Sequence, residues 1–218
     1  MKTMRAKDLI QMIRSKLQNV NEMILNHQFI IEAEEGKLPV EAFKTFVGQQ
    51  YYIVSHDARS LALMASRATN TKEFEFFLEL SKGDIEALKL LEKMGRALNL
   101  TKLDNIEPIP EAVAYTHYLA WLALYGNPGY QAVALIINLP VWGSNCRKLS
   151  HALRNRYNIH ETGFLDLFSQ PYEQIENRGL EIIENYLNYS EGMIRVSRLI
   201  QKYELMFWDA IYREVKKI

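Results

Sequence analysis

The apolar residues of this chain recur at intervals of three, four and seven, the spacing that places neighbours on one face of a helix. Leu9, Ile10, Ile13, Leu17, Val20 and Ile24 form such a stripe over the first helix. The segment EEGKLPVEAF ends it: Gly36 suits a C-terminal cap, and Pro39 suits the first turn of the next helix. That second helix is predicted from about Pro39 to Ala68. TNTKEF restarts the chain, with Thr71 as the candidate N-cap of a third helix reaching Leu100. TKLDNIEPIP is a polar, proline-bearing loop. The fourth helix begins near Pro110 and stops at YGNPG, and the fifth runs from about Tyr130 to Tyr157. After NIHETG a sixth starts near Phe164, and a seventh runs from about Glu191 to the end. No segment alternates as a strand does. The expectation is one all-α domain over residues 1–218, with about seven helices packed as a multihelical bundle.

Several polar residues interrupt this pattern on faces that should be buried. Glu204 shares its face with Ile200, Phe207, Trp208 and Ile211. A carboxyl in such surroundings loses hydration, which raises its pKa and makes it a candidate acid or base near neutral pH. Locking to a tyrosine hydroxyl or an arginine is the structural alternative. Gln50 lies among Phe43, Phe46, Val47, Ile53 and Val54, where an unbonded amide costs roughly 1–3 kcal/mol. The third interruption is NLPVWGSNC, Asn138–Cys146, inside the fifth helix. An internal proline costs ~3 kcal/mol and a glycine about 1 kcal/mol relative to alanine. Here Pro140 frees the carbonyl of Ile136, Gly143 thins the surface, and Asn138, Val141 and Asn145 form a stripe. A solvent-facing kink is the alternative for that segment. Buried amides and a carboxyl on three helices point to one polar spot inside an apolar bundle, the usual construction of a ligand pocket there. The surrounding Tyr, Phe and Trp suit a flat aromatic ligand.

Composition narrows the partners. The chain has 218 residues, is 48% hydrophobic and 24% charged, and has a formal net charge of zero. A neutral chain lacks the basic surface that a nucleic-acid backbone demands. A single cysteine excludes an internal disulfide and fits a reducing compartment, so a cytoplasmic protein is expected. The first residues alternate charged and apolar side chains, without the apolar run of a signal peptide. AVALIINLPVW is too short and too interrupted to span a bilayer. The five histidines form no i, i+4 pair and no Glu-x-x-His, and no glycine-rich phosphate loop or nucleophile elbow is present. Neither a metal nor another cofactor is expected.

Three segments in register carry a family likeness: GKLPVEAFKTFVGQQYYIVSH, NLPVWGSNC and KYELMFWDAIYRE. Together they resemble the TenA family of thiaminase-II-like proteins, related to PqqC, and the likeness covers nearly the whole chain. It implies a heme-oxygenase-like helical fold and a pocket for a small heteroaromatic molecule of the pyrimidine or thiamin type. It also implies a homo-oligomer, dimer or tetramer. Relatives that hydrolyse aminopyrimidines place a nucleophilic cysteine directly after the L-P of the fifth helix. Val141 stands there in this chain, and Cys146 lies about 140° around the helix from it. The family's pyrimidine-binding aspartate aligns with Gln50, the tyrosine three residues on with Ile53, and the late glutamate with Glu204. Related di-iron proteins draw Glu and His from stretches that here offer Ser81, Asp84, Phe168 and Tyr172, a set unsuited to iron. The histidine-rich pocket of PqqC has no counterpart that can be placed. The resemblance and the apolar faces together set the expected site: Glu204 as acid or base, with Gln50, Phe46, Tyr51, Asn138, Val141, Trp142, Asn145, Tyr172, Tyr203 and Trp208 binding the ligand. Without the cysteine, either weak thiamin-salvage-type hydrolysis or non-catalytic ligand binding and regulation is expected.

Overall fold

The computed structural model describes residues 4–217. Among them every regular element is helical: α1 (Ala6–Leu25), α2 (Gln28–Glu34), α3 (Val40–Ser66), α4 (Thr71–Ala97), α5 (Pro110–Tyr125), α6 (Pro128–Arg156), α7 (Gly163–Phe168), α8 (Glu173–Glu184) and α9 (Ser190–Val215). Two short 3₁₀ turns, Leu103–Asn105 and Leu187–Tyr189, lie in the connections. The count exceeds the seven expected because two long elements are each divided. The first breaks at Asn26, and the imidazole of His27 accepts from the Phe29 backbone amide at 3.2 Å, capping α2. The sixth breaks around Pro171, which cannot donate a helical hydrogen bond. The N-cap of α4 is Asn70 rather than Thr71: the Asn70 side chain accepts from the Glu73 amide at 3.1 Å. Gly36 does follow α2 with φ +72°, a left-handed value that favours glycine.

α3 packs against α4 and α5, α6 lies against α8 and α9, and α5 and α1 close onto α9. The buried side chains form two groups. One has an aromatic centre of Phe29, Phe43, Phe46, Trp142, Phe164, Phe207 and Trp208, surrounded by aliphatic side chains such as Ile30, Val47, Leu91 and Ile211. The other is mostly aliphatic, built from α1, the first half of α6, the end of α3 and the first half of α9, with Phe76 and Phe77 of α4. α6 runs through both groups and continues past Pro140 without interruption. No helix among the described residues is long and apolar enough to cross a membrane.

Candidate functional site

A cavity of about 340 Å³ lies where the aromatic and aliphatic groups fail to meet. α3 supplies Gln50, Ile53, Val54, Asp57 and Leu61, a single stripe whose residues recur at helical spacing. α6 adds Leu135, Asn138, Leu139 and Trp142, and α9 adds Glu204 and Phe207. Tyr115 comes from α5 and Asp84 from α4. Phe168 reaches in from the end of α7, and Tyr172 from the connection between α7 and α8.

Glu204 is 3% exposed. Its two carboxyl oxygens accept from Asn138 Nδ2 and, at 3.3 Å, from Trp208 Nε1. Burial outweighs these two donors and pushes its pKa up to about 8. At neutral pH it is therefore largely a carboxylic acid, which keeps acceptor capacity and gains one O–H donor. Asn138 is held from both sides. Its Nδ2 also donates to Gln201 Oε1 at 3.0 Å, and its Oδ1 accepts from the Tyr115 hydroxyl at 3.1 Å. Gln201 in turn donates to Asn21 Oδ1 at 2.6 Å, so the chain of amides is anchored in α1. Gln50 differs: it is 4% exposed, makes no side-chain hydrogen bond within the described residues, and opens on the cavity. The half-buried Tyr115 lies near Asp57, Glu204 and Asp84, and desolvation together with these acids holds its hydroxyl pKa well above the usual phenol value.

Of the residues expected from sequence, Gln50, Asn138, Trp142, Tyr172 and Glu204 border one cavity. Phe46 and Trp208 stand behind its wall. Phe46 stacks on Trp142 with ring centroids 6.1 Å apart and on Trp208 at 6.0 Å, and Trp208 reaches the site through its bond to Glu204 and by packing on the lining rings Trp142 and Phe207. The remaining four are placed elsewhere. Val141 packs into the aromatic core instead of the cavity lining, and it is Asn138, one turn earlier, that reaches Glu204. Asn145 donates to the Ile24 carbonyl at 3.0 Å and fastens the end of α1, with its own Oδ1 left unpartnered. Tyr51 is half-buried against the aromatic core, and Tyr203 packs on Tyr118 at 5.2 Å. Cys146 is fully buried away from the cavity lining, and burial pushes its thiol pKa well up.

Gly143 has a packing reason. A methyl group there would collide with the Phe168 carbonyl oxygen and sit 2.6 Å from Tyr172 Cε2 and 2.8 Å from its hydroxyl, so only glycine lets the end of α7 and this tyrosine close on α6. Tyr172 then donates to the Phe168 carbonyl, which fixes the ring at the cavity's edge.

Sequence reasoning missed Asp57, Tyr115 and the cavity-facing role of Asp84. Asp57 carried a signal: it lies seven residues after Gln50, on the same face. Tyr115 sits on α5, whose apolar residues surround it so evenly that no face stands out. Asp84 has lysine, glycine and glutamate for neighbours and reads as a solvated surface position. Among the described residues no three His, Cys, Asp or Glu side chains converge as a metal-ligand set.

Comparison with known proteins agrees with this architecture. Aminopyrimidine aminohydrolase of Bacillus subtilis (strain 168) is 27% identical over 206 residues, covering 86% of this chain and 83% of that protein. A TenA homologue from Pyrococcus furiosus superposes with a TM-score of 0.79 at 25% identity, over 94% of this chain and all of its own. Heme oxygenase from the cyanobacterium Synechocystis, solved with heme, superposes with a TM-score of 0.73 at 13% identity, over 96% and 94% of the two chains, and so shares the fold. Residues 14–214 match the sequence profile of the TENA/THI-4/PQQC family, and with nearly the whole chain matched the protein belongs to that family.

Proposed function

We propose that this protein binds a small, flat heteroaromatic molecule of the pyrimidine or thiamin-related class in the cavity bordered by Gln50, Asn138 and Glu204. One observation carries the reading. A buried carboxyl with a pKa of about 8, held by Asn138 and Trp208, faces an aromatic-walled space into which the unpartnered amide of Gln50 also opens. A ring nitrogen next to an exocyclic amine presents an acceptor beside a donor. Gln50 offers both complements, and protonated Glu204 offers a donor. Trp142, Phe168 and Phe207 supply the walls. The similarity to an aminopyrimidine aminohydrolase points to the same ligand class.

Glu204 is the group suited to acid or base catalysis, since its pKa lies near the working pH. A non-catalytic, ligand-binding role is the second reading, favoured by the nature of the lining. No thiol borders the cavity, Cys146 is sealed in the core, and Asn138 occupies the place beside Glu204. Calorimetric titration with 4-aminopyrimidines, thiamin and simple thiazoles, followed by a chromatographic assay for hydrolysis, tests both. The expected outcome is saturable binding of the aminopyrimidines, lost in Glu204→Gln, with turnover far below the ~10 per second of an ordinary enzyme. Binding of thiazoles alone, or of nothing in the panel, overturns the ligand class. Turnover at an ordinary enzyme's rate overturns the non-catalytic reading.

A further inference from the structure

The cavity holds a second set of acids that the proposed ring site does not use. Asp57 on α3 and Asp84 on α4 both border it. Their register is pinned by Ser81, whose hydroxyl donates to the Ala58 carbonyl at 2.8 Å and locks the two helices side by side. Asp57 is 8% exposed. One of its oxygens accepts from Thr116 on α5, and the other has no partner among the described residues. Asp84 is half-buried and makes no hydrogen bond there. Burial pushes Asp57 up to about 7, and burial together with the neighbouring Asp57 raises Asp84 well above the usual carboxylate range. Two facing carboxyls in an apolar wall oppose folding unless something between them returns the lost interactions.

What else faces them does not. Tyr115 of α5 and Glu204 of α9 add no positive charge, and Tyr172 is a phenol. α6 contributes only Leu135, Asn138, Leu139 and Trp142. On α3 itself, His56 turns away to the Tyr52 carbonyl, 2.8 Å from its Nδ1. Arg178 of α8 is the one cation at the lining, and it is already paired with Glu79 of α4 and laid over the Phe76 ring. An independent sign that this space takes a ligand comes from Gln50, buried, unpartnered and open on the same cavity. Gln50 and Asp57 are seven residues apart on α3, which sets them about 10 Å apart along the helix axis.

We propose that Asp57 and Asp84 form a cation subsite that takes a protonated amine, carried on an arm of several bonds from the ring bound at Gln50 and Glu204. This rests on the ring site proposed above and extends it: the ligand is a heteroaromatic amine with an extended cationic arm. The arm passes Ile53 and Val54, one turn along α3 from Gln50, and its ammonium reaches the free oxygen of Asp57 and the carboxyl of Asp84. An alkylammonium stays charged to about pH 10. Its affinity therefore follows ionisation of the acids and rises as pH passes through about 7.

Two probes of one length test this: a 4-aminopyrimidine with a 3-aminopropyl arm at ring position 5, and its 3-hydroxypropyl counterpart. Each is titrated calorimetrically between pH 6 and 8.5 against wild type, Asp84→Asn and Asp57→Asn, with melting curves to establish folding. The expected result is that wild type prefers the amine by on the order of tenfold or more, as hydrogen bonds to charged groups allow, and that the preference grows with pH. In folded Asp84→Asn the ratio falls toward one, and the pH dependence that remains is that of Asp57 alone. Asp57→Asn removes the neighbour of Thr116 as well, so Asp84→Asn is the primary variant and Asp57→Asn must agree in direction. Equal binding of the two probes overturns the cation subsite while leaving the ring site intact. A preference for the amine that survives in both variants overturns it too. Failure of both probes to bind wild type overturns the ring site itself, and with it this extension. Saturable binding of Mn²⁺ or Zn²⁺ that Asp84→Asn abolishes would assign the acids to a metal instead and overturn the amine.

Discussion

The two buried groups that flank the cavity are built differently. In the aromatic one, Trp208 touches Phe29, Phe46, Trp142 and Phe207 with ring centroids between 5.0 and 6.0 Å, and its indole also donates to Glu204. In the aliphatic one, Leu9, Ile13, Val133, Ile183 and Ile200 interlock without a hydrogen-bonding side chain among them. The cavity lies between them, lined by Ile53, Trp142 and Phe207 from the first and by Leu61, Phe76 and Leu135 from the second. The polar residues fall at the same seam. A ligand site is thereby supported on one side by rigid rings that carry a polar handle and on the other by side chains that only fill space.

That contrast is broken most directly by removing a large side chain from each side. Trp208→Ala should cost about 3–5 kcal/mol of unfolding free energy and also abolish ring binding, because Glu204 loses one of its two donors. Ile200→Ala, equally buried, should cost about 2–5 kcal/mol and leave the ligand affinity of the folded protein unchanged. Urea denaturation and calorimetry measure both. A Trp208→Ala protein that binds normally would show the aromatic side to be mere filling.

The next effect is in the pH dependence of stability. Glu204, at about 8, and Asp57, at about 7, hold their protons more tightly in the folded chain than in the unfolded one. Stability from these groups is fully present below their unfolded values near pH 4, and is lost as pH rises to about 8 and about 7 respectively. While each group titrates, the loss is about 1.4 kcal/mol per pH unit. His27, whose pKa burial lowers, works in the opposite direction below about pH 6.5. The difference between wild type and Glu204→Gln isolates the acid: the variant's unfolding free energy should fall less steeply between pH 5 and 8. Parallel pH profiles would mean that Glu204 is no more buried in solution than an ordinary carboxylate.

The smallest effect expected sharpens the seam itself. Gly143→Ala puts a methyl group against the Phe168 carbonyl and the Tyr172 ring. Overpacking of this kind costs about 1–3 kcal/mol. Because the end of α7 at Phe168 and the Tyr172 ring must both move at the cavity's edge, ligand affinity should fall further than the modest loss of melting temperature would suggest. Unchanged affinity would show that the Phe168–Tyr172 edge is dispensable to the site.

The sequence by itself determined the helices and their buried faces, because apolar spacing and caps are local. The stripe from Leu9 to Ile24, the start of α5 at Pro110 and the turn at Gly36 are all legible from neighbours within a few residues. It also marked Glu204, Gln50 and Asn138 as polar residues on apolar faces. Tertiary structure alone decided which of these meet. Asn138 and Val141 are about 60° apart around α6, close enough to share a face, and only the packing of α9 selects Asn138 for Glu204. Asn145 lies nearly in line with Asn138 but about 10 Å farther along the axis, where it meets the end of α1 instead of the cavity. Asp84 gives no sign in its own segment, since what makes it part of the site is Asp57 on another helix. Periodicity says which way a side chain points from its own helix axis; what waits there depends on how the other helices are rotated and displaced, which no local pattern encodes.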